Sequence, residues 1–463
     1  MARLVWLALA VGCSNAPPCG ELVAPSVAAG PGGGGNVLIV LIDDVGVDQL
    51  AAYGQPGPMP RTPTVDCLCE RGMRFEHAWA TPLCSPSRAA LLTGRSAEKT
   101  GLGTNVEAHE QLSRDEVTLA ELAHGSGMET GFVGKWHLDG WDAPGALRAP
   151  LLQGFDSAVG LMGNPSGPST PDPLLEDDKP DYFGYWRIDN GDVRWSTRYA
   201  TTAQIDDALH FVRHADGPWL LYLALTAAHV PLHDPPNHLL AEPLPRDASD
   251  PERFRAVVEA ADTELGRLLR GMDPQVLADT TVIFVGDNGT SPEGISSAGD
   301  PDRVKGTLFE GGVHVPLVVT GPQVPAPGVS QSLVHLVDIL PTVAEIAGGE
   351  DADDGLVALD LDGVSFLHAL SGDDAGSADY VATMFSPKAL GLDTAVRDHR
   401  YKLAHWHGGR EALYDLEADP DESYDLLRDD VLDDRAAEAL QGLRTALADP
   451  RGVPRFAPPV PEQ

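Results

Sequence analysis

The stretch C-S-P-S-R-A-A-L-L-T-G-R, from Cys84 to Arg95, joins a cysteine, a proline-fixed turn and an arginine, Arg88, two residues beyond that proline. A short apolar run then reads as a helix closing on Gly94-Arg95. Elsewhere, residues able to do chemistry follow strand-like runs. Asp43-Asp44 follows 37–42, Lys135 and His137 follow 129–133, His229 follows 219–225, and Asp287-Asn288 follows 281–285. Asp43, Asp44, Asp287 and Asn288 all offer hard oxygen donors. Such donors suit calcium, which takes roughly six to eight oxygens, or magnesium, which demands octahedral geometry and keeps waters. Each pair alone reads equally well as a turn or helix cap. Their recurrence beside the cysteine stretch points to a site.

The elements that must position these groups follow from periodicity. Six consecutive apolar residues at 37–42 predict a strand covered on both faces, as in a parallel sheet. Residues 117–124 read as helix, 129–133 as strand, 202–214 as an amphipathic helix and 219–225 as a buried strand. Residues 254–270 have helical periodicity, 281–285 are strand-like, and 313–319 followed by a helix-like 333–347 continue the alternation. This predicts an α/β fold: a large wound, mostly parallel sheet flanked by helices. In open α/β sheets ligands bind beyond the carboxyl ends of the strands, so all four groups are expected to face one edge. The Pro-, Asp- and Gly-rich residues 163–192 read as a long loop of the kind that carries function. Beyond residue 370 the pattern changes to strand-like pieces at 380–385, 394–396, 401–405 and 413–416 and a helix at 434–447. We expect a catalytic domain at 36–370 and, at 371–463, a smaller C-terminal α+β subdomain with an antiparallel sheet.

The whole set of motifs resembles the type I sulfatases, the formylglycine-dependent branch of the alkaline phosphatase superfamily. Asp43-Asp44, Cys84 to Arg95, G-K-W-H at 134–137, A-H-V-P at 228–231, G-D-N-G at 286–289 and K-G-T-L-F-E-G-G-V-H-V-P at 305–316 occur in that family's order. A-V-R-D-H-R-Y-K-L at 395–403 and L-Y-D-L-E-A-D-P at 413–420 resemble its small C-terminal part. The context of Cys84 and the nearby T-G-L-G at 100–103 look most like the arylsulfatase B-type branch.

The resemblance implies hydrolysis of O-sulfate esters. Such an ester is anionic and resists nucleophiles, so it needs an unusual nucleophile beside concentrated positive charge. By the same resemblance, a maturation enzyme converts Cys84 to formylglycine, and the hydrate of that aldehyde presents a hydroxyl to sulfur. Collapse to the aldehyde then expels sulfate, dividing one hard displacement into two easier steps. The resemblance further implies that Asp43, Asp44, Asp287 and Asn288, with the modified Cys84, hold one calcium ion. Arg88 and Lys135 would hold the formylglycine, while Lys305 and His229 contact the sulfate and leaving oxygen. His229 is the general acid and His137 the base that breaks down the sulfated intermediate. After Gly154-Phe155-Asp156 the family supplies a further polar side chain, for which Asn164 and Ser166 are the candidates here. His314 reads as a packing histidine, and Tyr185, Trp186, Trp195 and His233 as residues of the fold or of a substrate mouth.

Composition sets limits. Lys and Arg number 32 against 69 Asp and Glu, a formal charge of −37, which excludes nucleic acid as a partner because that binding rests on cationic contacts to phosphate. An anionic substrate remains compatible, since exposed charges are screened beyond roughly 8 Å and a few buried cations set the field inside a pocket. The N-terminus, Arg3 followed by apolar residues 4–11, has the outline of an export signal over 1–19. Its Ala10-Val11-Gly12-Cys13 ending resembles a bacterial lipobox, which implies a lipid anchor at Cys13. A Gly/Pro/Ala-rich tether occupies 20–35. The expected location is the periplasm or cell envelope, or outside the cell. Five cysteines suggest no disulfide framework, and Cys67 and Cys69 read as small packed hydrophobes. Two rival readings are a formylglycine-dependent phosphonate or phosphodiester hydrolase and, more remotely, a non-catalytic binding protein of the same fold. The second is disfavoured because every expected metal and nucleophile position is filled.

Overall fold

The apolar run after Gly35 becomes β1 (Asn36–Ile42), buried along its whole length. Its alternate side chains enter different cores. Val37, Ile39 and Leu41 pack into one cluster and Leu38, Val40 and Ile42 into another, as the twofold period of a strand requires. That is why the run is apolar on both faces. The computed structural model describes residues 19, 35–54, 57–165, 181–295, 299–348, 356, 359–374, 378–387, 391–429 and 431–448. The expected signal with Cys13, all of the tether but Gly35, and Ser166 lie outside these residues.

Nine further strands join β1: β2 (Met73–Trp79), β3 (Glu129–Lys135), β4 (Ser157–Leu161), β5 (Tyr185–Asp189), β6 (Asp192–Ser196), β7 (Trp219–Ala224), β8 (Thr280–Gly286), β9 (Leu317–Thr320) and β10 (Gly328–His335). Their order across the sheet is β10-β2-β9-β8-β1-β7-β3-β4-β5-β6. The stretch β8-β1-β7-β3-β4 is parallel throughout, with Leu41 opposite Ala224 and Val285. Antiparallel pairing enters at β9 and at the edge pair β5 and β6. A separate antiparallel sheet follows, built from β11 (Val381–Phe385), β12 (Asp393–Arg397), β13 (Tyr401–His405) and β14 (Glu411–Asp415). The helix Asp434–Ala448 packs on β12 and β13, burying Leu440 and Leu443 beside Val396 and Leu403.

Four expectations need correction. Residues 163–192 are not one loop: Tyr185–Asp189 is β5, paired with β6 through the turn Asn190-Gly191, whose φ angles of 51° and 97° are those of an Asn-Gly hairpin. Residues 333–347 are not one helix. Leu333–His335 complete β10 beside β2, and the helix Ile339–Gly348 starts only after His335 and Asp338 exchange capping bonds. Within 313–319 the strand begins only at Leu317, because Pro316 has no N–H to give a ladder. Cys67 is not a packed thiol: it forms a disulfide with Cys19, while Cys69 stays free and half-buried. Cleavage N-terminal to Cys19, as at Cys13, keeps that bridge.

Candidate active site

Because β8, β1, β7 and β3 are adjacent and parallel, their carboxyl ends bring residues far apart in sequence to one edge. Asp43 and Asp44 leave β1, Asp287 and Asn288 leave β8, and Lys135 ends β3. His229 follows β7, where the Tyr182 hydroxyl donates to the carbonyls of Thr226 at 2.5 Å and His229 at 2.8 Å. Asp44 and His137 both adopt the left-handed backbone, with φ of 63° and 59°. This turns their side chains as the chain leaves each strand. Facing this edge is the helix Cys84–Thr93, every residue of it buried, with Cys84 in its first position and Gly94 closing it at φ 65°. Cys84 therefore sits at the positive end of a helix dipole.

Cys84 Sγ lies 3.5 Å from Asp43 Oδ1, 4.0 Å from Asp44 Oδ1 and 3.4 Å from Lys305 Nζ. Lys135 Nζ donates to Asp43 Oδ2 at 2.6 Å, and Lys305 Nζ to Asp44 Oδ1 at 2.5 Å. One turn along the helix, Arg88 donates through Nε and a terminal nitrogen to Asp287 Oδ2 at 3.1 and 2.8 Å. Its other terminal nitrogen donates to the Lys135 carbonyl at 2.6 Å. Asn288 Nδ2 donates to Asp44 Oδ1 at 2.9 Å, and the Asp44 N–H to Asp287 Oδ1 at 3.1 Å. His229 Nε2 lies 3.9 Å from Asp44 Oδ2. All the residues expected at the site, except Ser166, are described. His314 is turned away, bonding the Glu76 carbonyl at 2.8 Å, in keeping with its reading as a packing histidine. Asn164 carries a buried Oδ1 that accepts no hydrogen bond. His233 stacks on Tyr182 with ring centres 4.0 Å apart, while Trp186 and Trp195 face each other across the β5–β6 hairpin.

Three carboxylates thus meet three cations, nearly all of them buried. Two carboxylate environments diverge. Burial pushes the Asp43 carboxyl up, but Lys135, Arg88, His229 and Lys305 outweigh it and hold it well below the usual range. For Asp287, burial and the repulsion of Asp43 win over Arg88, and its carboxyl is pushed up to about 7. Asp287 is therefore the acid whose charge its neighbours compensate least. Asp44 Oδ2 and Asn288 Oδ1 are both buried and accept no hydrogen bond. A buried acceptor left so costs about 1–3 kcal/mol, and more when charged. Asp43, Asp44, Cys84 and His229 offer ligand atoms within 4.8 Å of one another. The side-chain oxygens of Asp43, Asp44, Asp287 and Asn288 suit a hard divalent cation.

Burial pushes the Cys84 thiol up to about 12 despite Lys135 and Lys305, so unmodified it is protonated and a poor nucleophile at neutral pH. Burial, joined by Lys135 and Arg88, drives His137 well below its ordinary value, and burial with Lys135 lowers His229. Both imidazoles are neutral near pH 7. Sequence reasoning missed two supports. Ser85 donates its hydroxyl to the His137 carbonyl at 2.7 Å, and Tyr182 bonds the His229 carbonyl. Ser85 lay inside the cysteine motif and could have been found. Tyr182 had no such signal.

Comparison with known proteins agrees with this geometry. The sulfatase family model matches residues 35–349. Bovine (Bos taurus) arylsulfatase A is 31% identical over 466 residues, covering 88% of this chain and 86% of the relative. N-acetylgalactosamine-6-sulfatase of Sus scrofa is 31% identical, covering 72% of this chain and 66% of its own. Among solved structures, Ps i-CgsB in complex with k-i-k-neocarrahexaose superposes with a TM-score of 0.73 at 25% identity, covering 89% of this chain and 92% of the other. With the matched segment running from the first strand through the helix after β10, and the cysteine, acids and cations gathered at one sheet edge, this chain belongs to the sulfatase family and is a sulfuric ester hydrolase.

Proposed function

We propose that this sulfatase cleaves O-sulfate esters at the cluster around residue 84, with Cys84 matured to formylglycine and one calcium held by Asp43, Asp44, Asp287, Asn288 and the modified residue. The observation that carries this reading is the placement of Cys84 Sγ within 4.0 Å of Asp43, Asp44 and Lys305 together. A thiol kept protonated by burial has little use there as a nucleophile, whereas a hydroxyl-bearing group in its place has acids and cations around it. When present, the hydrated aldehyde supplies a hydroxyl that attacks sulfur and a route for releasing sulfate, and the calcium supplies Lewis-acid stabilisation of oxygen charge.

The chain's own residues do the rest. Arg88 fixes Asp287 and the Lys135 carbonyl, and so sets the cluster's shape. Lys135 and Lys305 bring positive charge to the place where sulfate oxygens gather charge, the kind of term that is usually largest. His229 donates through Nδ1 to the Val230 carbonyl at 2.7 Å, which leaves Nε2 facing the pocket. An anionic ester arriving beside Nε2 raises its proton affinity and fits it to protonate the leaving oxygen. His137, neutral and with its Nδ1 unpartnered, is suited to take a proton as sulfate is released.

The Cys19–Cys67 disulfide supports an exported protein, since such bonds persist in oxidising compartments. A lipid anchor at Cys13 is compatible with it. We assign catalysis to 36–370 and packing support to 371–463. The substrate class is a sulfated saccharide or aryl sulfate, in keeping with the names of the relatives. Side-by-side kinetics on aryl sulfate, sulfated sugar, phosphate monoester and phosphodiester test the reading. Higher efficiency on either phosphorus ester overturns it.

A further inference from the structure

Lys305 sits between two anchor points in the turn that follows the last strand of the C-terminal sheet. Before it, Arg303 donates to the carbonyls of Asp421 at 3.0 Å and Glu422 at 2.5 Å, in the turn that follows β14. After it, the Glu310 N–H donates to the Glu422 carboxylate at 2.5 Å. One residue, Glu422, therefore grips the Lys305 segment on both sides, and it does so from a left-handed backbone with φ 54°. Arg303 also lies over the Phe309 ring, 4.5 Å from its centre, closing the segment on itself. Phe309 in turn packs against Tyr414 of β14, with ring centres 5.9 Å apart.

Beneath this grip lies a buried charge network. Lys402 of β13, fully buried, donates to Glu310 at 3.1 Å and pairs with Glu422 at 2.8 Å. Arg397 of β12 reaches Glu310 at 3.3 Å. Two cations balance two carboxylates. Although burial pushes Glu310 up, Lys402 and Arg397 hold its carboxyl down at about 2, whereas burial and the neighbouring Glu310 raise the Glu422 carboxyl against the pull of Lys402. From this frame the Lys305 N–H reaches the Thr290 carbonyl at 3.0 Å, and the Gly306 N–H reaches Pro82, beside Cys84, at 2.9 Å.

We infer that Arg303, Glu422 and Lys402 are positioning residues of the reaction, through which the C-terminal sheet sets where the Lys305 ammonium stands relative to residue 84 and Asp44. This rests on the reading of Lys305 given above. Side chains acting through Lys305 have no effect once Lys305 is gone, whereas side chains that merely hold the fold do.

The test uses the matured full-length enzyme and five variants: Arg303→Met, Arg303→Lys, Glu422→Gln, Lys305→Ala and the double variant Arg303→Met/Lys305→Ala. Arg303 is 31% exposed, so its removal leaves the core intact. We expect kcat of Arg303→Met and of Glu422→Gln to fall roughly tenfold to a hundredfold, the scale of a catalytic group displaced by about 1 Å. Formylglycine content and calcium affinity should be unchanged. Arg303→Lys, whose amine can still donate to one carbonyl, should recover part of the loss. The double variant should be no slower than Lys305→Ala alone. Full activity of Arg303→Met and Glu422→Gln beside an impaired Lys305→Ala overturns the inference, and so does a double variant whose loss is the product of the two single losses. Full activity of Lys305→Ala instead removes Lys305 from the mechanism and the inference with it.

Discussion

Calcium binding should be tied to one proton, and the structure says which. Asp287, fully buried, faces Asp43, Asp44, Arg88 and Lys135, and burial with Asp43 repulsion lifts its carboxyl to about 7. A calcium ion needs that oxygen ionised, so below this value binding must first expel a proton. The sign follows: affinity rises with pH up to the Asp287 value and then levels off. With a pKa of about 7, affinity falls about tenfold, or about 1.4 kcal/mol, for each pH unit below it. Proton release per calcium should be greatest in mildly acid buffer and shrink as the pH rises through about 7. Asp43 adds nothing to this slope, since its neighbours hold it ionised throughout. The assay is calorimetric titration of chelator-stripped protein in two buffers of different ionisation enthalpy, which counts protons directly. Asp287→Asn should bind calcium more weakly and lose the slope. An affinity that is flat from pH ~5.5 to ~8.5 with no proton released refutes the reasoning about this pocket.

Three further outcomes are expected. Cys84→Ala should abolish sulfatase activity while circular dichroism and thermal unfolding stay near those of the parent, and undiminished hydrolysis would remove position 84 from the chemistry. Cys67→Ser opens the bridge to Cys19, whose partners are 48 residues apart, and chain-entropy arguments put the stability lost at about 4 kcal/mol, read from denaturant unfolding with the N-terminal segment retained. His229→Ala should cost roughly 10² to 10⁴ in kcat for esters with poor leaving groups and far less for a nitrophenyl sulfate, because only the former need a proton donor; equal losses across leaving groups would assign His229 another task.

Much of this was legible from the sequence. The run at 37–42 announced β1, and the acids that follow it and β8 were placed at one sheet edge from pattern alone. The pairings between them were not readable. Asp43 meets Lys135 across 92 residues and Arg88 meets Asp287 across 199, and no local rule encodes such contacts. Asn190-Gly191 is a strong hairpin signal, yet it sits in a Pro-, Asp- and Gly-rich stretch whose composition read as loop. His335 shows why 333–347 misled: apolar residues continue unbroken from β10 into the next helix, so only the capping exchange with Asp338 marks the boundary. Cys19 stood in a stretch that looked like a leader, and pairing with Cys67 depends on the fold, not on spacing.

The resolution of the charge paradox is local. A chain of formal charge −37 can act on an anion because Arg88, Lys135 and Lys305 are turned inward around residue 84, where screening is weakest. With three carboxylates matched by three cations, a divalent ion leaves the pocket positive overall. That net charge is available to the ester.

The most direct measurement is peptide mass spectrometry across Thr81 to Arg88 of active enzyme, taken together with its specific activity. The account predicts a peptide in which the cysteine side chain has become an aldehyde, with activity proportional to the fraction converted. Full activity from protein whose residue 84 is still a thiol contradicts it.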